Sequence, residues 1–406
     1  MSVVTDADPR SAEEGLPMPV MTSPDRARTV RPRRHRILGL LAAGAAAALL
    51  AACGGNETVP LQPVATGRPP SYYPAEYSSV IEASKKEGGT LTIYSNTDQE
   101  NWTPVLRDFK RKYPWVKKVS AGNLDSDEVF QRVLSEQATG GSPADLLVSN
   151  AAQAWADFAG RDGTLLEYES PEVSKLPEFG RLLPGVHAMS VDPLAIVYNG
   201  ALLEEDLTGL GRLADLAAKD PDKYRDRITA RDVEGSFGFT VSHAFTKARP
   251  GAWAHLGALL PMARPETSSG TQLEKITSGE YVAGFFINAA PAYPVVERSG
   301  GLLKLAFPSE GTVVLPRGIG IAAGAPHKAT AKLFVDFLLS DEGQRAVAEG
   351  GLTAYRDGVR AGGGRHTYQE LVGEVGAGNV IVTEYAEVAE GEVDAFLGRW
   401  NGLLAR

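Results

Sequence analysis

The chain has 406 residues, 43% of them hydrophobic, with 41 Lys+Arg against 50 Asp+Glu and a formal net charge of −9. An acidic balance with no basic tract in the body of the chain argues against nucleic-acid binding, and the length allows two domains, each with its own core. Cys53 is the single cysteine, so an intrachain disulfide is excluded and stability must come from core packing.

Residues 1–30 are polar and irregular, a long lead that admits two readings: translation beginning at Met18 or Met21, or a true extension. Arg33-Arg34-His35-Arg36 then precedes Ile37 to Ala52, sixteen residues without a charge, and Leu50-Ala51-Ala52-Cys53 closes the run. A basic cluster, an apolar run and small residues form an export signal. As a helix the run would be about 24 Å long, short of the roughly 30 Å hydrocarbon core of a bilayer. Its end resembles the lipobox of bacterial lipoproteins, which implies cleavage after residue 52 and a lipid on Cys53. The arginine pair loosely resembles a twin-arginine signal, and the export route stays open. Residues 1–52 hold seven of the basic and five of the acidic residues, so the remaining 354 carry a net charge of −11. From 53 to 75 the chain is rich in Pro, Gly, Thr and Gln without an apolar period, and reads as a tether. Tyr72-Tyr73 within it could ligate ferric iron or pack on the folded body.

A short helix at Ser79–Lys86 ends at Gly88-Gly89, and order continues with alternating strands and helices. Thr90–Tyr94 is a β-rich run, Ser95-Asn96-Thr97 a polar turn, and Trp102, Val105, Leu106, Phe109 and Tyr113 fall at helical spacing. The unit recurs as strand 116–119, helix 127–137, strand 145–148, polar turn Ser149-Asn150, and a helix carrying Trp155 and Phe158. Further on, 195–199 reads as a strand, 213–219 as a helix, 224–229 as a segment leading into a strand, and 234–238 as a turn of small residues. Pro265–Thr271 precedes a helix with Leu273 and Ile276, and 281–288 is an apolar strand covered on both faces. Strands at 312–316 and 319–322, helices holding Leu333–Leu338 and opening at Asp341, and a C-terminal helix with Val393, Phe396, Leu397, Trp400 and Leu404 complete the chain. This alternation predicts an α/β fold with mixed, mostly parallel sheets flanked by helices.

No nucleophile elbow, phosphate-binding Gly-Lys-Ser/Thr loop or His-Glu-x-x-His motif is present, and no two histidines share metal-ligand spacing. Gly318-Ile319-Gly320 with Gly324 misses the dinucleotide fingerprint by one residue and reads better as a glycine-thinned buried strand. No catalytic group is visible, and no cofactor is expected. Three polar clusters instead precede helices: Ser95-Asn96-Thr97, Ser149-Asn150 and Ser268-Ser269-Gly270-Thr271. Such residues cap helices, and the same geometry presents backbone N–H groups to an anion. In open α/β sheets ligands gather beyond the carboxyl ends of strands, where these clusters fall.

Gly89–Ser95, Pro143–Leu147, Val197-Tyr198-Asn199, Tyr224–Ile228 and Phe334–Gln344 together resemble the type 2 periplasmic binding proteins, in the branch named for ferric-iron ABC importers. The resemblance covers roughly Gly88 to Leu404. It implies a lobe 1 built from 76–192 and a return at 315–406 that includes the C-terminal helices. Lobe 2 would be 193–314, the crossings lying near 190–195 and 313–318. It also implies Ser95, Asn96, Thr97, Ser149 and Asn150 as ligand residues on lobe 1, and Ser236, Ser268, Ser269 and Gly270 on lobe 2. Where iron-binding members carry an adjacent tyrosine pair after the apolar strand, this chain reads Asn288-Ala289-Ala290-Pro291-Ala292-Tyr293, leaving Tyr293 as the one candidate there.

The expected protein is therefore a monomeric solute receptor, lipid-anchored through Cys53 on the extracytoplasmic face of the cell membrane. It would capture a phosphorylated or phosphonate-bearing solute, or chelated ferric iron, and deliver it to an ABC permease without turnover. The alternatives are a surface lipoprotein hydrolase with an unrecognised site, which Ser236 or Ser269 would serve, and a structural or adhesive lipoprotein, which would lack a cleft.

Overall fold

A computed structural model describes residues 69–405. The export signal, Cys53 and most of the tether lie outside the described residues. Among the described residues there are eleven strands: β1 (Thr90–Ser95), β2 (Lys118–Ala121), β3 (Leu146–Ser149), β4 (Arg181–Leu183), β5 (Val186–Asn199), β6 (Ile228–Arg231), β7 (Ala263–Glu266), β8 (Ala283–Asn288), β9 (Leu303–Ala306), β10 (Thr312–Ile321) and β11 (Val380–Val382). The main path runs β2-β1-β3-β10-β5-β8-β6-β7, with β11 on β10 and with β4 and β9 on β5.

Two long strands divide this path into halves. Residues 186–193 of β5 pair antiparallel with β10, while 194–199 pair with β8 and β9. The chain thus changes sheets between Pro193 and Leu194. Away from these strands the pairs β1–β2, β1–β3, β6–β7 and β6–β8 are parallel, as the alternating strand–helix pattern requires. The antiparallel pairings all involve β5 or β10.

Burial explains the apolar strands. Every residue of β5, β8 and β10 is buried, so each needs helices on both faces. Trp102 and Trp155 are almost fully enclosed in the first half, each contributing on the order of 2–3 kcal/mol. Trp155 also accounts for the glycines of β10: a Cβ at Gly318 would stand 2.7 Å from its Nε1, and one at Gly320 would stand 3.0 Å from its ring. The glycine pair is a seat for an indole.

Local pattern misjudged three elements. The expected turn at 234–238 opens a 13-residue helix, Ser236–Ala248, whose start holds two glycines and so hides its period. β5 begins nine residues earlier than expected, because a strand buried throughout shows no alternation. β10 is continuous through Pro316, which the register shift between Arg317 and Gly318 accommodates. The apolar stripe of the C-terminal helix, Glu390–Leu404, packs as core against the second half: Phe396 meets Phe239 and Trp253, and Trp400 meets Trp253.

Candidate functional site

Between the halves lies a cleft of about 910 Å³, lined by strand-to-helix turns from both sides. On the second-half side β6 ends in Arg231, and helix 236–248 begins five residues later. Gly238 is obligatory there, since a Cβ would fall 1.8 Å from the Asp232 carbonyl oxygen; the helix start is pressed onto the strand end. No side chain caps this helix, and the Ser236 Oγ is buried without a partner. The neighbouring helix, Ser269–Thr277, is capped by Ser268, whose Oγ accepts from the Thr271 N–H at 3.0 Å. Ser269 Oγ accepts from the Asn288 N–H at 3.1 Å. The first amides of both helices lack intrahelical partners, as at any helix start.

Arg231 dominates this wall. It is 8% exposed, its guanidinium lies 4.6 Å from the centre of the Phe237 ring, and no ion pair among the described residues involves it. Its Nε and Nη1 are buried without partners. Burial pushes its pKa down to about 10, so at neutral pH this residue of the cleft lining remains a cation with two unpartnered donors. Leaving a buried charge unpaired costs several kcal/mol, which an anion in the cleft would offset.

The first-half wall has the same residue types in a different state. Asn96 Nδ2 donates to Asn150 Oδ1 at 2.8 Å, and Asn150 Nδ2 donates to Asp192 Oδ2 at 2.8 Å. Arg317 Nη2 donates to Asp192 Oδ2 at 2.8 Å, while its Nη1 donates to Asn96 Oδ1 at 2.6 Å and Thr97 Oγ1 at 3.1 Å. The result is a closed ring joining two polar turns to the long strands β5 and β10. Arg317 is as buried as Arg231, but Asp192 neutralises it.

Asn96, Thr97, Asn150, Ser236, Ser268, Ser269 and Gly270 all line the cleft. Ser95, Ser149 and Tyr293 do not. Ser95 Oγ accepts from the Thr97 N–H and Trp102 Nε1, so it holds the turn. Ser149 Oγ donates to the Ser126 carbonyl and accepts from the Ala151 N–H. Tyr293 points to the far side of helix 289–298, where its hydroxyl meets His366 Nδ1 at 3.2 Å and burial raises its pKa. Tyr72 and Tyr73 donate to the buried Glu172, which also pairs with Arg356; these tyrosines pack on the body, outside the cleft lining. Sequence reading missed Arg231, Arg298 and Arg317. A lone arginine inside the apolar run 313–321 was a usable signal for Arg317; nothing local marked the other two.

Two α/β halves that share the long strand β5, with a polar cleft between them, have the form of a solute-binding protein. The chain belongs to the bacterial extracellular solute-binding proteins, whose family model matches residues 95–345. It is 27% identical over 284 residues to iron uptake protein A1 of Synechocystis, covering 64% of this chain and 73% of that protein. It is 36% identical over 281 residues to an uncharacterised Haemophilus influenzae protein, covering 65% and 77%. The fold matches the substrate-binding protein of an Agrobacterium tumefaciens ABC transporter with a TM-score of 0.68 at 20% identity, covering 79% of this chain and 96% of that one. It also matches iron-bound HitA of Pseudomonas aeruginosa (TM-score 0.60, 19% identity, 77% and 99% covered) and AfuA of Actinobacillus pleuropneumoniae with fructose-6-phosphate bound (0.56, 20%, 78% and 97%). The family and these structures are transport-binding proteins, not enzymes, and the family's location is extracytoplasmic.

Proposed function

We propose that this protein captures a small phosphate- or phosphonate-bearing solute and delivers it to an ABC permease. The anion would sit on the second-half wall. The observation that carries this reading is Arg231, a buried guanidinium with unpartnered donors in a residue that lines the cleft. The uncapped start of helix 236–248, the Ser236 hydroxyl and the amides at Ser269 and Gly270 add donors suited to a tetrahedral oxyanion. No tyrosine lines the cleft, so direct ferric coordination lacks the phenolates it would use; chelated iron is the second reading, supported by the iron-uptake relative. Lobes bounded at about 192/193 and 314/315 would close on the solute by bending β5 and β10. The lipobox pattern supports lipid anchoring through Cys53, which would hold a monomeric receptor beside the permease.

Mass spectrometry of solute co-purifying with the protein, with thermal-shift screens of phosphate esters, phosphonates and ferric chelates, tests this. The expected result is stabilisation by phosphorus compounds. Stabilisation by ferric chelates alone would overturn it. Cys53→Ser should release the protein from membranes without changing solute affinity.

A further inference from the structure

The two walls differ in charge as well as in hydrogen bonding. Asp98, Glu100, Asp125 and Asp127 line the first-half side, and among the described residues none is in an ion pair. The Asp98 carboxylate accepts from Asn123 Nδ2, and among the described residues the Asp127 carboxylate takes part in no hydrogen bond. Burial and the neighbouring Asp125 raise the Asp127 pKa, the response of a carboxylate that lacks a cation. On the opposite side Arg231 and Arg298 are likewise free of ion pairs, and Asp232 is the one carboxylate.

Helix starts sharpen the contrast. Helix Gln99–Lys112 opens with Asp98 and Glu100, and helix Glu128–Ala138 opens with Asp127 and Glu128. Their positive ends are already answered by carboxylates. The helices starting at Ser236, Ser269 and Ala289 have no acidic residue in the first turn. An anion is therefore drawn to one wall and repelled by the other, and a cation the reverse.

We propose that the solute is a zwitterion: a small phosphate ester or phosphonate bearing a protonated amine, its anion on Arg231 and its ammonium against Asp98, Asp125 and Asp127. This rests on the oxyanion reading above and adds the amine. The buried, unpartnered Arg231 fixes which end enters the second half, and the unpaired carboxylates that line the other side of the same cleft answer the other end. Such a solute neutralises both walls as they close, whereas a plain anion draws an acidic wall toward itself.

Calorimetric titration of the purified protein with phosphoethanolamine and with ethyl phosphate, which differ chiefly in the amine, tests the proposal. Phosphoethanolamine should bind at least tenfold more tightly. Asp127→Asn and Asp125→Asn should each reduce that preference several-fold while leaving ethyl phosphate affinity unchanged or improved, a pattern that a folding defect would not produce. Equal affinity for the two compounds overturns the zwitterion while leaving the oxyanion site intact. Binding of neither compound overturns both readings, and a preference for phosphoethanolamine that survives both substitutions overturns the role of the acidic wall.

Discussion

The two walls of the cleft are written in the same residues and work differently. Each places Ser, Thr or Asn at a strand-to-helix turn, yet the first-half turns spend their side chains on each other and on Arg317, while the second-half wall leaves Arg231, Ser236 and two helix starts open. The difference comes from partners distant in sequence. Arg317 is 125 residues from Asp192 and 221 from Asn96, and the long strands bring them together. Hydroxyl-rich turns are therefore not sites in themselves; a turn is available to a ligand only when the fold leaves its donors unpaired.

The most drastic way to break this contrast is Asp192→Asn. Stripping the carboxylate from a buried pair should cost about 3–5 kcal/mol of stability, read by chemical denaturation. The same change leaves Arg317 as a second uncompensated cation, so affinity for a plain phosphate ester should rise in whatever fraction stays folded. An unchanged denaturation midpoint would show that the ring carries no structural weight.

Arg231→Gln attacks the other wall. Loss of a desolvated, charge-assisted contact should weaken phosphate-ester binding by about 2–5 kcal/mol in calorimetry. Stability should hold or improve, since an unpaired buried charge is removed. The two changes, one behind each wall, are thus predicted to give opposite phenotypes.

Ser268→Ala separates capping from binding. Loss of the cap on helix 269–277 should cost about 1 kcal/mol of stability. Affinity should change less, because the hydroxyl is committed to Thr271. The smallest effect is expected for Asp98→Asn: a modest gain in plain-anion affinity at low salt that disappears at high ionic strength, as for any exposed charge.

Much of this was legible in the sequence. Alternating strands and amphipathic helices gave the α/β class, and polar clusters ahead of helices located six residues that line the cleft, because a turn and its helix are local; Ser236 came with the family resemblance. Helix 236–248 was not legible, since Gly235 and Gly238 mimic a turn, while Gly238 serves the close approach of helix to strand. Nor was the orientation of Tyr293: Asn288 caps helix 289–298, and that register turns Ala290, Pro291 and Pro294 to the cleft and Tyr293 to His366. Arg231 needed the sheet order, which sets β6 between β7 and β8 at the cleft wall, and the knowledge that no ion pair among the described residues involves it.

The central claim is that the anion belongs to the second-half wall, and a crystal structure of the protein with ethyl phosphate tests it most directly. The account predicts phosphate oxygens within hydrogen-bond distance of the Arg231 guanidinium, with Ser236, Ser269 or Gly270 adding donors. Phosphate bound on Arg317 and the Asn96–Asn150 ring, with Arg231 left empty-handed, would contradict it.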